Sequence, residues 1–185
     1  MDALECIRAR RSYRGAFSAA PVPRGDLAKI IEAGLAAPSG CNAQTTSLAG
    51  IDDPALVGEI MGLVGKNGFG GGRPPAGVCV LTRRAPAYAD VYFNVQDYSA
   101  AIENMLLAIT ALGYASCWIE GQVTESAETQ ARIAELLKAP AGLAAVAFLP
   151  VGVPAEGGGR PSRKPFEERA PFRERGWYNA YGGQA

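Results

Sequence analysis

Apolar positions along the chain follow two rhythms. Leu27, Ile30, Ile31 and Leu35 recur every three to four residues, which predicts a helix over 26–36 that Pro38 stops. Residues 4–9 read as a short helix with Asp2 available as its cap. Residues 46–51 read as a strand, and Asp53-Pro54 opens a third helix running to about residue 64. Residues 78–82 form a short apolar run expected as a buried strand, 115–119 a further strand, and 143–151 a strand so apolar that it should be central. A last helix is expected over 125–138. The longest periodic segment covers 98–112, with Asp97 placed to cap it and Gly113 to close it. Its residues Ala101, Ile102, Met105, Leu106, Ala108, Ile109 and Leu112 surround most of the circumference, so the helix should be buried on several sides. Burial inside one monomer and a core shared between subunits both fit this pattern.

Where periodicity fails, glycine takes over. The glycine-rich stretch 65–75 reads as a mobile loop. A phosphate-binding loop of the Gly-x-x-x-x-Gly-Lys-Ser/Thr type would need glycine at Ile60 and a hydroxyl at Asn67, and neither is present. Residues 157–159 are a glycine hinge or turn, and 160–185 form a polar and aromatic tail. Helices and strands in this order predict an α+β sandwich with helices packed around one sheet. The expectation is one domain over 1–185, with 166–185 as an extended C-terminal arm.

Composition narrows the chemistry. With 185 residues the chain can bury roughly 70% of its unfolded surface. Eighteen basic and eighteen acidic residues cancel, so neither nucleic acid nor an anionic membrane is an expected partner. No apolar run reaches the roughly 20 residues that span a bilayer, and the acidic start at Asp2 and Glu5 is unlike a signal peptide. The expectation is a cytoplasmic protein. There are no histidines, which removes Ser-His-Asp and Cys-His catalysis and His-ligated metal. The four cysteines, Cys6, Cys41, Cys79 and Cys117, show no Cys-x-x-Cys spacing and read as small buried hydrophobes in a reducing compartment. Cys41 stands apart because it lies inside a candidate ligand loop. The cations cluster at 8–14 and 160–175, where the two ends of the chain could converge on one anion.

Four segments carry the candidate chemistry. Arg10-Arg11-Ser12-Tyr13-Arg14 offers guanidinium forks and a hydroxyl suited to a phosphate. Ala37-Pro38-Ser39-Gly40-Cys41-Asn42-Ala43-Gln44 ends a helical pattern in a tight loop of backbone and amide groups. Gly113-Tyr114-Ala115-Ser116-Cys117-Trp118-Ile119-Glu120-Gly121 lies where a strand meets a loop. Arg160-Pro161-Ser162-Arg163-Lys164-Pro165 is a basic turn bracketed by prolines. Taken singly, each also fits a bland role: a solvated helix end, a turn, a surface carboxylate, a solvated tail.

Taken in order, these segments resemble the nitroreductase family of FMN flavoproteins. Asn104, Met105 and Ala108 on the long helix and the stretch 149–154 fit the same pattern. The resemblance implies a three-layer α+β sandwich, a mostly antiparallel central sheet flanked by helices, and the long helix at a dimer interface. It implies FMN as cofactor, NAD(P)H as transient electron donor, and a homodimer whose flavin sites are shared between subunits. By this resemblance Arg10, Arg163 and Lys164 neutralise the phosphate, and Ser12 adds a hydrogen bond. Arg11 and Ser12 reach the ribityl chain, and Arg14 lies near flavin N1 and O2. Pro38, Ser39, Gly40, Asn42 and Gln44 approach from the partner subunit. The amides of Ile119, Glu120 and Gly121 face N5 and O4, where Gly121 would allow close approach. No side chain is implied as acid or base, since the flavin carries the chemistry. Nitroaromatics or quinones are the implied acceptors, through a ping-pong cycle. A specialised flavoenzyme (dehydrogenase, dehalogenase or flavin-consuming oxygenase) and a flavin carrier or redox sensor are the alternatives. In the middle of the chain the pattern departs, with Asn67 and Arg73 the only candidates for the pyrimidine contacts, and Thr45 and Thr46 stand where an aromatic often follows the Asn-x-Gln pair.

Overall fold

In a computed structural model the described residues are 1–64, 73–159 and 161–170. The sheet is built from β1 (Thr46–Ile51), β2 (Ala76–Thr82) and β3 (Ala144–Val151), in the order β1-β2-β3 with both pairs antiparallel. Val78 and Val80 of β2 face one layer and Cys79 and Leu81 the other, as strand alternation requires. The first layer holds α2 (Arg24–Leu35) and α4 (Asn94–Ala111). The second holds α3 (Pro54–Val64), α5 (Gly121–Thr124) and α6 (Ala127–Leu136). A bulge between Val80 and Leu81 shifts the β2–β3 register, and every residue of β2 is buried. This is the expected α+β three-layer sandwich.

Local signals explain most boundaries. α1 (Ala3–Ala9) starts on a reciprocal capping box, the Glu5 amide donating to Asp2 Oδ1 at 2.8 Å and the Asp2 amide to Glu5 Oε2 at 3.0 Å. α2 begins two residues earlier than expected because Pro23 fixes the backbone of its N-cap. α4 ends before Gly113, whose φ of +84° suits glycine. The helix expected over 125–138 is α6, where Ser126 acts as cap by accepting from the Thr129 amide at 3.3 Å, and residues 121–124 form a separate turn before it.

Two expectations are corrected. Residues 115–119 do not form a regular strand. Isolated antiparallel bridges tie Ala115 to Gly152 and Ile119 to Phe148, and a parallel bridge ties Ser116 to Ser12. These contacts cover the free edge of β3, so β3 is interior although β2 is the middle strand of the regular sheet. Asp97 does not cap the long helix, which starts at Asn94 with Phe93 as N-cap. Asp97 lies in the first turn, and its carboxylate is drawn away to the loop before β1. Among the described residues no helix is long and apolar enough to cross a membrane. Most of the 65–75 loop, the Arg160 and Asn67 candidates and residues 171–185 of the expected arm lie outside the described residues. Phe166–Arg169 forms a short helix, α7.

Candidate functional site

The first candidate segment leaves α1 at Arg10, whose amide donates to Cys6 O at 2.9 Å. It then runs beside residue 116, with the Tyr13 amide donating to Ser116 O at 2.8 Å. Tyr13 is buried, meets Phe17 edge-on, and donates its hydroxyl proton to Ala16 O. Burying Tyr13 turns its neighbours Ser12 and Arg14 outward. They line a cleft of about 340 Å³ together with Gly159 and Pro161. The return strand makes this possible. The Ser18 amide donates to Val153 O, the Ala155 amide to Ala16 O, and the 157–159 turn packs over Tyr13 and Arg11. Arg163 and Lys164 follow, exposed, just beyond Pro161.

The four N-terminal candidates do not all face one space. Arg10 and Arg11 border a separate cleft of about 220 Å³ against the C-terminal half of α4. Arg10 Nε lies 3.2 Å from Glu103 Oε1. This ion pair draws Arg10, an expected phosphate ligand, toward α4. Among the described residues, Arg14, Arg163 and Lys164 have no carboxylate partner. Arg14 also acts on Cys117: burial pushes that thiol up to about 11, and the nearby guanidinium opposes the shift. Cys79 is pushed up to about 12 by burial alone, and the Cys6 thiol donates to Leu107 O. These three thiols are inert packing groups, as expected, while Cys41 is exposed.

From Ser116 the chain runs four residues to Glu120, a span of about 13 Å in extended backbone. Ile119 is locked to the sheet by two bonds with Phe148, at 3.1 and 2.9 Å. Beyond it, the amides of Glu120 and Gly121 donate to no group among the described residues. A Cβ on Gly121 would meet no protein atom within 4 Å. The close approach expected at Gly121 is thus not to another part of the chain; the space beside it is open. Glu120 turns its side chain inward, where the buried Tyr98 hydroxyl donates to Oε1 at 2.7 Å. Burial, and then the Glu120 carboxylate, push the Tyr98 hydroxyl up to about 12.

The 38–44 loop is at the N-terminal end of α4. Its 3₁₀ turn, Gly40–Asn42, and its flanks hold Cys41, Asn42 and Gln44 at φ of 51°, 56° and 48°. Three left-handed residues without glycine are a strained arrangement. Asp97 spans the strain. Its Oδ1 accepts from the Gly40 amide at 2.8 Å and its Oδ2 from the Thr45 hydroxyl at 2.6 Å. The Gln44 amide donates to Ser39 Oγ at 3.1 Å, and Arg83 donates to Ala43 O at 3.1 Å. Pro38, Ser39 and Gln44 border a small cleft with Asp97, and the Asn42 side chain is exposed. The Arg10–Arg11 cleft meets α4 from Leu106 to Thr110 and the cleft beside this loop meets it at Asp97 and Ala101, so about 8 Å of helix lies between their nearest edges.

Asp97, Tyr98 and Tyr13 support the candidate segments through hydrogen bonds that sequence reasoning did not foresee. The available signal was the Asp97-Tyr98 pair at the start of the longest helix.

Comparisons with known proteins bear on the family and the fold. The family model described as the nitroreductase family matches residues 7–64 and 63–153. The chain belongs to the nitroreductase family. It is 29% identical over 157 residues to an Archaeoglobus fulgidus protein named among the NADH dehydrogenase/NAD(P)H nitroreductases, covering 84% of this chain and 87% of that one. A Bacteroides fragilis nitroreductase solved with FMN bound superposes at TM-score 0.68 with 30% identity, over 89% of this chain and 94% of its own. A BluB-like flavoprotein of Clostridium difficile superposes at 0.78 with 25% identity, over 94% of this chain and all of that one (100%).

Proposed function

We propose that this protein is an FMN-dependent NAD(P)H oxidoreductase that acts as a homodimer with shared sites and reduces nitroaromatic, quinone or similar acceptors by a ping-pong cycle. The observation that carries the reading is the course of the chain from the Ser12–Arg14 cleft to Glu120. Unpaired cations gather at one end and unused amide donors beside an open glycine lie at the other. That suits an extended ligand with a phosphate at one end and a hydrogen-bonding ring at the other.

Bound FMN would supply hydride chemistry at its N5. Ser12, Arg163 and Lys164 would hold the phosphate, and Arg11 the ribityl chain. The Glu120 and Gly121 amides would donate at the N5 and O4 edge. Arg14, beside Ser12 in the same cleft, would extend its long side chain from there toward N1 and O2, where reduction puts negative charge. The 38–44 loop would come from the partner subunit, in keeping with its lining a cleft of its own, apart from that of Arg10 and Arg11. The apolar residues Leu4 and Ile7 of α1, at 61% and 45% exposure, are further surface for a partner to cover.

The test is the visible spectrum of FMN-reconstituted protein, followed without oxygen as NADH or NADPH is added. A bound-flavin spectrum that bleaches within seconds is the expected result. Bound flavin that stays oxidised favours a specialised flavoenzyme, a reading in line with the likeness to the BluB-like flavoprotein. No bound flavin overturns the proposal.

A further inference from the structure

Two consecutive residues in the first turn of α4 reach the two halves of the candidate site. Asp97 holds the 38–44 loop and Tyr98 holds Glu120. We propose that Asp97 and Tyr98 are positioning residues of the cofactor site, Asp97 maintaining the strained loop and Tyr98 keeping the Glu120 carboxylate turned away from the flavin. The inference rests on the FMN reading above.

Both residues are almost wholly buried, at 4% and 5% exposure. Asp97 uses one oxygen on each side of the loop, at Gly40 before the left-handed residues and at Thr45 after them. Thr45 is itself buried. A strained backbone persists only where its surroundings over-determine it, and here the two Asp97 bonds act together with Ser39 Oγ on the Gln44 amide and Arg83 on Ala43 O. Phe93 adds a steric stop, since a Cβ on Gly40 would lie 2.2 Å from its ring. Without Asp97 the loop would relax into less strained conformers, and each binding event would have to reorder it.

Tyr98 acts on charge. Its hydroxyl is the one hydrogen-bond donor to the Glu120 side chain among the described residues. Freed, that side chain could swing into the open space beside Gly121. Negative charge there would oppose electron gain by the ring.

The experiment titrates FMN into the apoprotein of wild type, Asp97→Ala, Asp97→Asn, Thr45→Val and Tyr98→Phe, and measures the midpoint potential of each flavin complex. Asp97→Ala should weaken FMN binding about tenfold or more, the scale of one lost buried charged hydrogen bond. Asp97→Asn should restore it to within about threefold of wild type, because an amide can accept from Gly40 and donate to Thr45 Oγ1. Tyr98→Phe should leave FMN affinity within about threefold, shift the potential to more negative values, and slow anaerobic bleaching. Unchanged affinity in Asp97→Ala overturns the Asp97 assignment, and if that variant does not fold, unchanged affinity in Thr45→Val does so. An Asn variant as weak as the Ala variant overturns positioning in favour of charge alone. An unmoved potential in Tyr98→Phe overturns the Tyr98 assignment. Wild-type protein that ignores FMN overturns the cofactor reading, whereas tight wild-type binding with unaffected variants overturns only this inference.

Discussion

At the scale of residues, the site separates cations that are already neutralised from those that are free. Arg10 has Glu103, Arg24 has Asp52 and Arg132 has Glu135, while Arg14, Arg163 and Lys164 have no carboxylate among the described residues. A free cation can give its charge to a ligand without first breaking a pair. Arg163→Ala should therefore weaken FMN binding by roughly 10- to 100-fold, about 1.4–2.8 kcal/mol, while Arg10→Ala should cost less. Fluorescence titration of FMN against the two variants checks the order. The same site reading bears on Gly40. Gly40→Ala would press a methyl group into the Phe93 ring, and thermal unfolding should show a loss on the order of 1–3 kcal/mol, together with weaker FMN binding.

At the scale of elements, sequence patterns located helices well where capping and periodicity agreed. The third helix and the first strand fall at the expected residues, and α1 carries its Asp2 cap. The misreadings have a common cause. Asp97 has the chemistry of a cap, yet a loop 52 to 57 residues away in sequence claims both its oxygens. Residues 115–119 have the apolar content of a strand, yet they pair only with Phe148 of β3 and with Gly152 just after it, because they also serve as the partner of residues 12 and 13. Ser126 was absorbed in the expected helix but is its cap. Ser126→Ala should destabilise the fold by about 1 kcal/mol, read as a fall in the denaturation midpoint, without altering flavin affinity.

At the scale of the whole molecule, one protomer presents the candidate groups in separate clefts: Ser12 and Arg14 in one, Arg10 and Arg11 in another, and Pro38, Ser39 and Gln44 in a third. A dimer in which the 38–44 loop completes the partner's site resolves that separation. Sedimentation of the flavin complex should give twice the 19.3 kDa chain mass. A Leu4→Glu/Ile7→Glu double variant should shift the protein toward monomer and lower its flavin content, because two carboxylates would have to be buried at the contact. A stable monomer with full flavin content would rule out the shared site.

The amino-acid sequence by itself determined the α+β class and most helix and strand positions, because these follow from local periodicity and caps. Family membership was also legible, in the order of four short motifs. Only the tertiary structure decided which cations are free, that Asp97 serves a loop and not its own helix, that Tyr98 holds Glu120, and that the Glu120 and Gly121 amides are left unused. Each of these depends on which groups distant in sequence come within hydrogen-bond reach. Packing of α4 against the sheet sets that reach, and the residues next to each group in the chain do not encode it.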